Sequence, residues 1–171
     1  MILPRKKLKK ILPTHEKIKE KKFLKIFGKF LHKKEIWSLS RKRVVAGVFI
    51  GIFVACLPMP LQMVLATFLA IVLNANLPIS FILIFISNPI TMPPIFYFEY
   101  KIGNLFLKPE TIIEFNIDSM TDNFDQIALS LWTGAIVVGI FSSVICAVIV
   151  NFLWIYLVKK DRNKNLKKYK R

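Results

Sequence analysis

The stretch LPMPLQ, residues 57–62, and its later counterpart NPITMPP, residues 88–94, place prolines inside sequence that is otherwise apolar enough for long helices. Proline lacks a backbone N–H and clashes with the preceding helical turn, so a helix must stop at each of these two proline breaks. In a hydrocarbon environment the backbone groups freed there are costly unless protein or water covers them. Both breaks are therefore predicted to face the protein interior.

Charge and apolar residues occupy different segments of this 171-residue chain, which has a net charge of +16 although 54% of its residues are hydrophobic. Residues 1–43 contain sixteen Lys or Arg and residues 159–171 contain eight, whereas the segment between them contains only Lys101 and Lys108. A nucleic-acid-binding domain carries its basic residues on a folded surface, but these flank apolar spans, as the positive-inside rule describes. We therefore expect an integral membrane protein that binds no nucleic acid and has both termini in the cytoplasm.

The basic leader, residues 1–43, contains apolar residues that recur at mostly three- and four-residue steps between Lys17 and Trp37, with lysines between them. This pattern predicts an amphipathic helix with a basic polar face. Such a helix suits the interface of a leaflet that contains anionic lipids, and the same pattern also suits a helix bound by a partner protein. We favour the lipid surface because the helix leads directly into an apolar span.

Residues 44–73 are thirty consecutive positions without a charge. An unbroken helix of that length would be about 45 Å long, whereas the hydrocarbon core of a bilayer is about 30 Å thick. A helical hairpin that turns at the first proline break and returns to the same side fits this length, and so does one steep, kinked crossing. We favour the hairpin, in which Pro60 opens the second half-helix.

Residues 77–103 form a second apolar segment, which the second proline break interrupts. We predict that its second half-helix starts at Pro93 or Pro94, where the missing N–H of proline costs nothing. Thr91 is a candidate cap for that half-helix. The polar turn between the two apolar segments, residues 74–78, is expected at the membrane surface.

An acidic connector, residues 104–128, is predicted outside the cytoplasm. It precedes a run of thirty-one uncharged positions, in which we predict a transmembrane helix over residues 129–158. Residues 159–171 would form a basic cytoplasmic tail, so the chain crosses the membrane an even number of times. The predicted fold is an all-α integral membrane protein in which Pro-broken half-helices, a re-entrant hairpin and a kinked span, pack against a long C-terminal transmembrane helix.

Small residues at four-residue spacing mark one face of the first half-helix and one face of the C-terminal helix. Such faces let two helices approach closely in lipid, and we predict that these two pack together. They consist of Gly47, Gly51 and Ala55 on the first half-helix, and Ala135, Gly139, Ser143 and Ala147 on the C-terminal helix.

Few polar residues interrupt the apolar segments, and these are the candidate ligand contacts. The default role of Gln62, Asn88 and Thr91 is to satisfy freed backbone groups, and the alternative is to contact a ligand at the ends of the half-helices. Glu99 is a candidate for proton coupling or substrate binding unless it is solvated at the interface beside Lys101. The candidate substrate-binding set is Pro58, Pro60, Gln62, Asn88, Pro89, Thr91, Pro94 and Glu99.

Catalytic and metal-binding patterns are not apparent in the sequence. Its two cysteines lie in apolar runs, its two histidines lie among lysines, and it has no glycine-rich phosphate loop. We therefore expect no enzyme activity, no metal site and no cofactor.

The segments GVFIGIFVACLPMPLQMVLATFLAIVLNANLP, residues 47–78, and ISNPITMPPIFYFEYKIG, residues 86–103, resemble the bacterial membrane family known as domain of unknown function 2062. The resemblance rests on a Pro-x-Pro-x-Gln turn and on an Asn-Pro-x-Thr-x-x-Pro element followed by a Tyr-rich segment that ends in Gly. It covers roughly residues 44–158, with Leu61 where the family often has Gly, and implies a protein of the bacterial inner membrane with no established activity. The most distinctive element contains Asn88, Pro89, Thr91, Pro94, Tyr97 and Gly103.

Two functions remain open at this point. The first is a small transporter or lipid-handling protein with a midplane site at the paired breaks, where the half-helix ends at Pro60 and Pro93 favour an anion such as a lipid phosphate. The alternative is a structural or assembly protein that binds a partner, either a second copy or another membrane protein, and transports nothing. An open cavity between the breaks would favour the first, and a closed break with Asn88 satisfied internally would favour the second.

Overall fold

The computed structural model describes residues 34–108 and 124–169, and the regular structure in these ranges is all helical, as predicted. Most of the predicted amphipathic helix and most of the acidic connector lie outside the described residues. A short 3-10 helix, Lys34–Trp37, precedes five α-helices. These are α1 (Arg41–Cys56), α2 (Gln62–Val72), α3 (Leu77–Ile84), α4 (Met92–Leu107) and α5 (Phe124–Tyr169).

The two proline breaks separate α1 from α2 and α3 from α4. At the first break Leu57 has extended backbone, with φ −75° and ψ 128°, as expected for a residue that precedes proline. The next helix begins at Gln62 and not at Pro60. At the second break α4 begins at Met92, with Pro93 in its first turn.

The turn between α2 and α3 lies beside the start of α1. The backbone N–H of Asn76 donates to the carbonyl of Arg43 at 2.9 Å, and its side-chain amide donates to the carbonyl of Ser38 at 3.0 Å. The side chain also caps α3, because its Oδ1 accepts from the N–H of Ile79 at 3.0 Å. α1 and α2 are therefore a hairpin that is closed at the first proline break and returns to its starting end.

The two asparagines of the turn over residues 74–78 have different surroundings. The side chain of Asn76 is completely buried, whereas Asn74 is exposed and has a positive φ of 50°. Asparagine tolerates this left-handed conformation better than most residues. One asparagine thus turns the chain at the surface, and the other ties the turn to the rest of the fold.

The glycine face of α1 packs against α3 and not against α5 as predicted. A Cβ atom at Gly47 would lie 2.7 Å from the carbonyl oxygen of Asn76, and one at Gly51 would lie 2.9 Å from that of Ser80. The Ser80 hydroxyl donates to the carbonyl of Gly47 at 3.0 Å, which is possible because the backbones approach closely. α1 and α5 do pack together, but through Phe53 and Cys56 of α1 against Gly139 and through other larger side chains.

α5 has 46 residues, a length of about 69 Å, and packs along both α4 and α1. Along α5, successively later residues contact successively earlier residues of α4, and the same holds for α1. α5 therefore runs antiparallel to both helices. The small residues of its predicted packing face are buried. Neighbouring positions are Gly103 with Ser130 and Glu99 with Gly134 for α4, and Cys56 with Gly139 and Val44 with Trp154 for α1.

Both helices beside the acidic connector are longer than predicted. α4 continues to Leu107 and α5 begins at Phe124, so helix occupies both ends of the segment assigned to the connector, residues 104–128. At its other end α5 continues to Tyr169, well into the basic tail. The polar and charged residues of this tail do not stop the helix, because lysine has a good helix propensity and residues 159–169 contain no proline.

Within the described ranges, Ile127–Asn163 is the one stretch of helix long and apolar enough to cross a membrane. Only 17% of its most apolar part is buried within the protein, and most of the apolar side chains there are exposed. Soluble monomers rarely expose an apolar surface of this extent. Exposed examples are Leu129, Ile136, Ile140, Phe141, Ile145, Ile149, Phe152 and Leu153.

Candidate functional site

The two proline breaks meet around a cavity of about 530 Å³, which we call the break cavity. Its volume is typical of small-molecule sites, and so is its mostly apolar wall with three polar side chains. Breaks that are about thirty residues apart in sequence therefore form one site. The lining residues are Pro60, Leu61, Gln62, Met63 and Val64 from the first break and α2, and Ile84, Phe85, Ser87, Asn88 and Pro89 from α3 and the second break.

Gln62 connects the first proline break to the second. Its Nε2 donates to the carbonyl of Leu57 at 2.8 Å, and its Oε1 accepts from the Ser87 hydroxyl at 3.3 Å. The carbonyl of Leu57 belongs to the groups that lose their helical partners where α1 ends. Gln62 is buried and thus satisfies the freed backbone while it borders the cavity.

Asn88 and Thr91 satisfy the second break from within. The Oδ1 of Asn88 accepts from the N–H of Ile90 at 2.9 Å and from that of Thr91 at 3.1 Å. In return, the Thr91 hydroxyl oxygen accepts from the N–H of Asn88 at 2.9 Å. This reciprocal arrangement is a turn of the Asx type.

Thr91 occupies the N-cap position of α4 but makes no side-chain cap hydrogen bond, which corrects its assignment as a cap. Its hydroxyl instead donates to the carbonyl of Ile86, two residues beyond the end of α3. The hydroxyl therefore points back across the break and is not available to the first turn of α4.

The structure brings half of the candidate ligand contacts to the break cavity. Those in the lining are Pro60, Gln62, Asn88 and Pro89, and those outside it are Pro58, Thr91, Pro94 and Glu99. The candidate set omitted Met63, Phe85 and Ser87, which also line the cavity. Ser87 is one of the few polar residues in the apolar segments, whereas the signal for Met63 and Phe85 was their position within a few residues of a proline break.

Glu99 lies at the junction of α1, α4 and α5. Its side chain is 0% exposed, and neither carboxyl oxygen has a hydrogen-bond partner in the described part of the chain. The thiol of Cys56 in α1 faces it, and that sulfur lies 3.8 Å from the Ser142 hydroxyl oxygen of α5. The alternative of a solvated Glu99 is therefore corrected, because α4 turns Glu99 inward and Lys101 outward.

In the described ranges, no three His, Cys, Asp or Glu residues are grouped closely enough to bind a metal ion. The break cavity itself contains no ionisable side chain. Its described wall offers apolar contact, hydrogen bonds from the amides of Gln62 and Asn88 and the hydroxyl of Ser87, and the backbone at the start of α2.

A family model described as "uncharacterized protein conserved in bacteria (DUF2062)" matches residues 24–163, which include both proline breaks and all of α5 except its last six residues. No curated protein and no solved structure matches the chain. The comparisons therefore identify a bacterial family and provide no assigned activity.

Proposed function

The chain belongs to the DUF2062 family of uncharacterised proteins conserved in bacteria, and from this premise we propose a multi-pass inner-membrane protein that holds a lipid-like ligand in the break cavity. The observation that carries the proposal is the convergence of both proline breaks on that one cavity. Transport or handling of the ligand, and not an enzymatic reaction, is the function we infer.

The proposed membrane arrangement follows from helix lengths. α1 and α2 have 16 and 11 residues, about 24 and 16 Å, so their hairpin is too short to cross a core of about 30 Å and would be re-entrant. α3, the second proline break and α4 would form one broken crossing, and α5 would form the return. Because α1 and α4 follow one another along α5, the tip of the hairpin and the break cavity would lie near the middle of the bilayer.

Cysteine labelling tests this arrangement. In a chain whose two native cysteines are replaced by alanine, we expect Ser119→Cys in the connector to react with a membrane-impermeant maleimide in spheroplasts. Asn163→Cys in α5 should react only after the membrane is permeabilised, because both basic ends face the cytoplasm. The cysteine-free chain is the control, and a connector cysteine that needs permeabilisation would overturn the proposed topology.

The cavity wall indicates the chemical class of the ligand. Leu61, Met63, Val64, Ile84 and Phe85 offer apolar contact to a hydrocarbon tail. The polar edge consists of Gln62, Ser87 and the start of α2, where Leu61 gives no side-chain cap. A helix N-terminus with free N–H groups favours an anionic group, so an amphiphile with an anionic head fits the site.

Photoreactive phospholipids test the ligand directly. A probe with its diazirine in the head group should label Met63 and Phe85 in purified protein reconstituted in vesicles, because the head would enter the cavity at mid-depth. Gln62→Leu should reduce this labelling about tenfold, since it removes the buried amide at the polar edge. Peptide mass spectrometry measures both.

Ile140 and Phe141 provide the matched control. Both are exposed on α5, and the adjacent Gly139 packs against the end of α1, so their depth in the proposed bilayer is close to that of the break cavity. A probe with its diazirine at the end of the acyl chain should label them, and the head-group probe should not. If the head-group probe labels the cavity and the outer face equally, or labels neither, the proposed ligand site is wrong.

A structural or assembly role is the second candidate, and one observation favours it. The Oδ1 of Asn88 already accepts from the N–H groups of Ile90 and Thr91, so this side-chain oxygen is not available to accept from a ligand. In that role the breaks would only close helix ends, and the exposed apolar face of α5 would contact a second copy or another membrane protein. Acyl-chain labelling of the cavity without head-group labelling would support it.

A further inference from the structure

Glu99 is a buried acid that the proposed lipid site does not use. Both carboxyl oxygens are shielded and, apart from the facing Cys56 thiol, have no polar partner among the described residues, and an ionised carboxylate in such surroundings is strongly unfavourable. The group must then carry a proton while the junction of α1, α4 and α5 is closed. Protonation makes it an ordinary polar group whose burial costs far less.

Among the described residues, the neighbours of Glu99 supply no compensating positive charge. α5 presents Gly134 to its backbone carbonyl, and α1 presents the Cys56 thiol, which is itself an acid and lies against the Ser142 hydroxyl. On α4 the ammonium of Lys101 lies 4.8 Å from the centre of the Tyr97 ring and is exposed, so it points away from the junction.

Two further buried polar atoms lie along the contact between α4 and α5. The Ser130 hydroxyl and the Oδ1 of Asn104 have no hydrogen-bond partner among the described residues, and they lie on the connector side of Glu99. Buried polar atoms of this kind are usually bonded to water. Buried polar groups in this contact therefore extend from Glu99 toward the connector end of the helices.

Glu99 is linked to the break cavity through the end of α1. Cys56, which faces its carboxyl group, directly precedes Leu57, and the carbonyl of Leu57 accepts the hydrogen bond from Gln62 in the cavity wall. A movement of the end of α1 away from Glu99 would thus move a residue that holds Gln62 in place.

We propose that Glu99 is an exchangeable proton site whose ionisation separates α1 from α4 and changes the break cavity. The inference rests on the proposed membrane placement and on the break cavity as the site affected, but its proton chemistry does not depend on which ligand the cavity takes. It adds a proton as a second ligand of the protein.

Dicyclohexylcarbodiimide tests the proton on the unmodified protein in vesicles. The acid proton of Glu99 would pass to one carbodiimide nitrogen, the carboxyl oxygen would add to the central carbon, and the acyl group would migrate to the other nitrogen as a stable N-acylurea. We expect this adduct on Glu99 by peptide mass spectrometry. Glu35, which is exposed, is the matched control and should stay unmodified. Modification of Glu35 but not of Glu99 would overturn the proposal.

Infrared spectroscopy and cavity labelling test exchange and coupling. The carbonyl band of the protonated acid should shift in D₂O and be absent from Glu99→Gln. A band that does not shift would refute the exchangeable site.

Head-group labelling of the cavity should change about fivefold or more between acidic and alkaline pH in the wild type, and not in Glu99→Gln. A proton that exchanges without changing this labelling would refute the coupling, whereas no labelling at any pH would refute the lipid site alone.

Discussion

Gly134→Ala is expected to prevent normal packing of α4 on α5 and to lower the free energy of unfolding by more than about 3 kcal/mol, beyond the usual cost of overpacking. The added Cβ would overlap the carbonyl group of Glu99 and approach the backbone N of Gly103. These are backbone atoms of a helix, which cannot rotate away as a side chain can. Thermal unfolding of the detergent-purified protein, followed by fluorescence-detected size exclusion, measures the loss.

α4 and α5 each place a glycine against the backbone of the other helix, which strengthens this expectation. A Cβ at Gly103 of α4 would overlap the carbonyl of Ser130 on α5, one helical turn from the Gly134 contact. Each helix thus offers a glycine to the backbone of the other, and Gly103→Ala should destabilise to a similar degree. The pair should be less than additive, because one separation of the helices relieves both overlaps.

Gly139→Ala is the matched control for these variants. It makes the same chemical change in α5, but the new Cβ would lie 3.2 Å from a ring carbon of Phe53 and 3.3 Å from the Cβ of Cys56. Side chains can shift by a few tenths of an ångström, so its effect should be much smaller. Equal melting temperatures for Gly134→Ala and Gly139→Ala would show that the helices are not in backbone contact.

Asn76→Ala is expected to destabilise the fold by about 3 kcal/mol, as the sum of a lost helix cap and a lost buried hydrogen bond. Its Oδ1 caps α3, its Nδ2 reaches the carbonyl of Ser38, and the side chain is fully buried. The substitution therefore removes a tie between the end of the hairpin and its start. Denaturation in mixed detergent micelles measures the change.

Asn163→Ala serves as the comparison, because Asn163 is exposed in the last part of α5. Its replacement should alter stability by less than about 0.5 kcal/mol, as is usual for surface positions. If both variants unfold at the same denaturant concentration, the two side-chain hydrogen bonds of Asn76 do not contribute to stability.

The positions of the helix stops followed from the sequence because proline acts on its own turn of the chain. The all-helical fold and the family were confirmed for the same reason, since periodic apolar sequence and the break motifs are local signals. That Gln62 would reach Ser87 was not predictable, because the two residues belong to different breaks and only the return of α2 brings them together.

Small-residue spacing identified faces of close approach but not their partners. Gly47 and Gly51 of α1 pack against α3. The backbones of α4 and α5 approach more closely still at Gly103 and Gly134, and no four-residue spacing pattern identified these two glycines. Glu99 was ambiguous because Lys101 follows it closely, and the rotation of α4 that separates the two side chains depends on packing against α5. Burial of an acid is thus a tertiary property that sequence position alone does not determine.

The C-terminal part of α5 has a mechanical consequence. With residues up to Val158 inside the bilayer, the eleven helical residues 159–169 would project as a stiff rod about 16 Å long. Anything attached to this end would be held at a fixed height above the lipid head groups and would turn with α5. A tilt of the helix within the membrane would then become a sideways displacement in the cytoplasm, as with a lever.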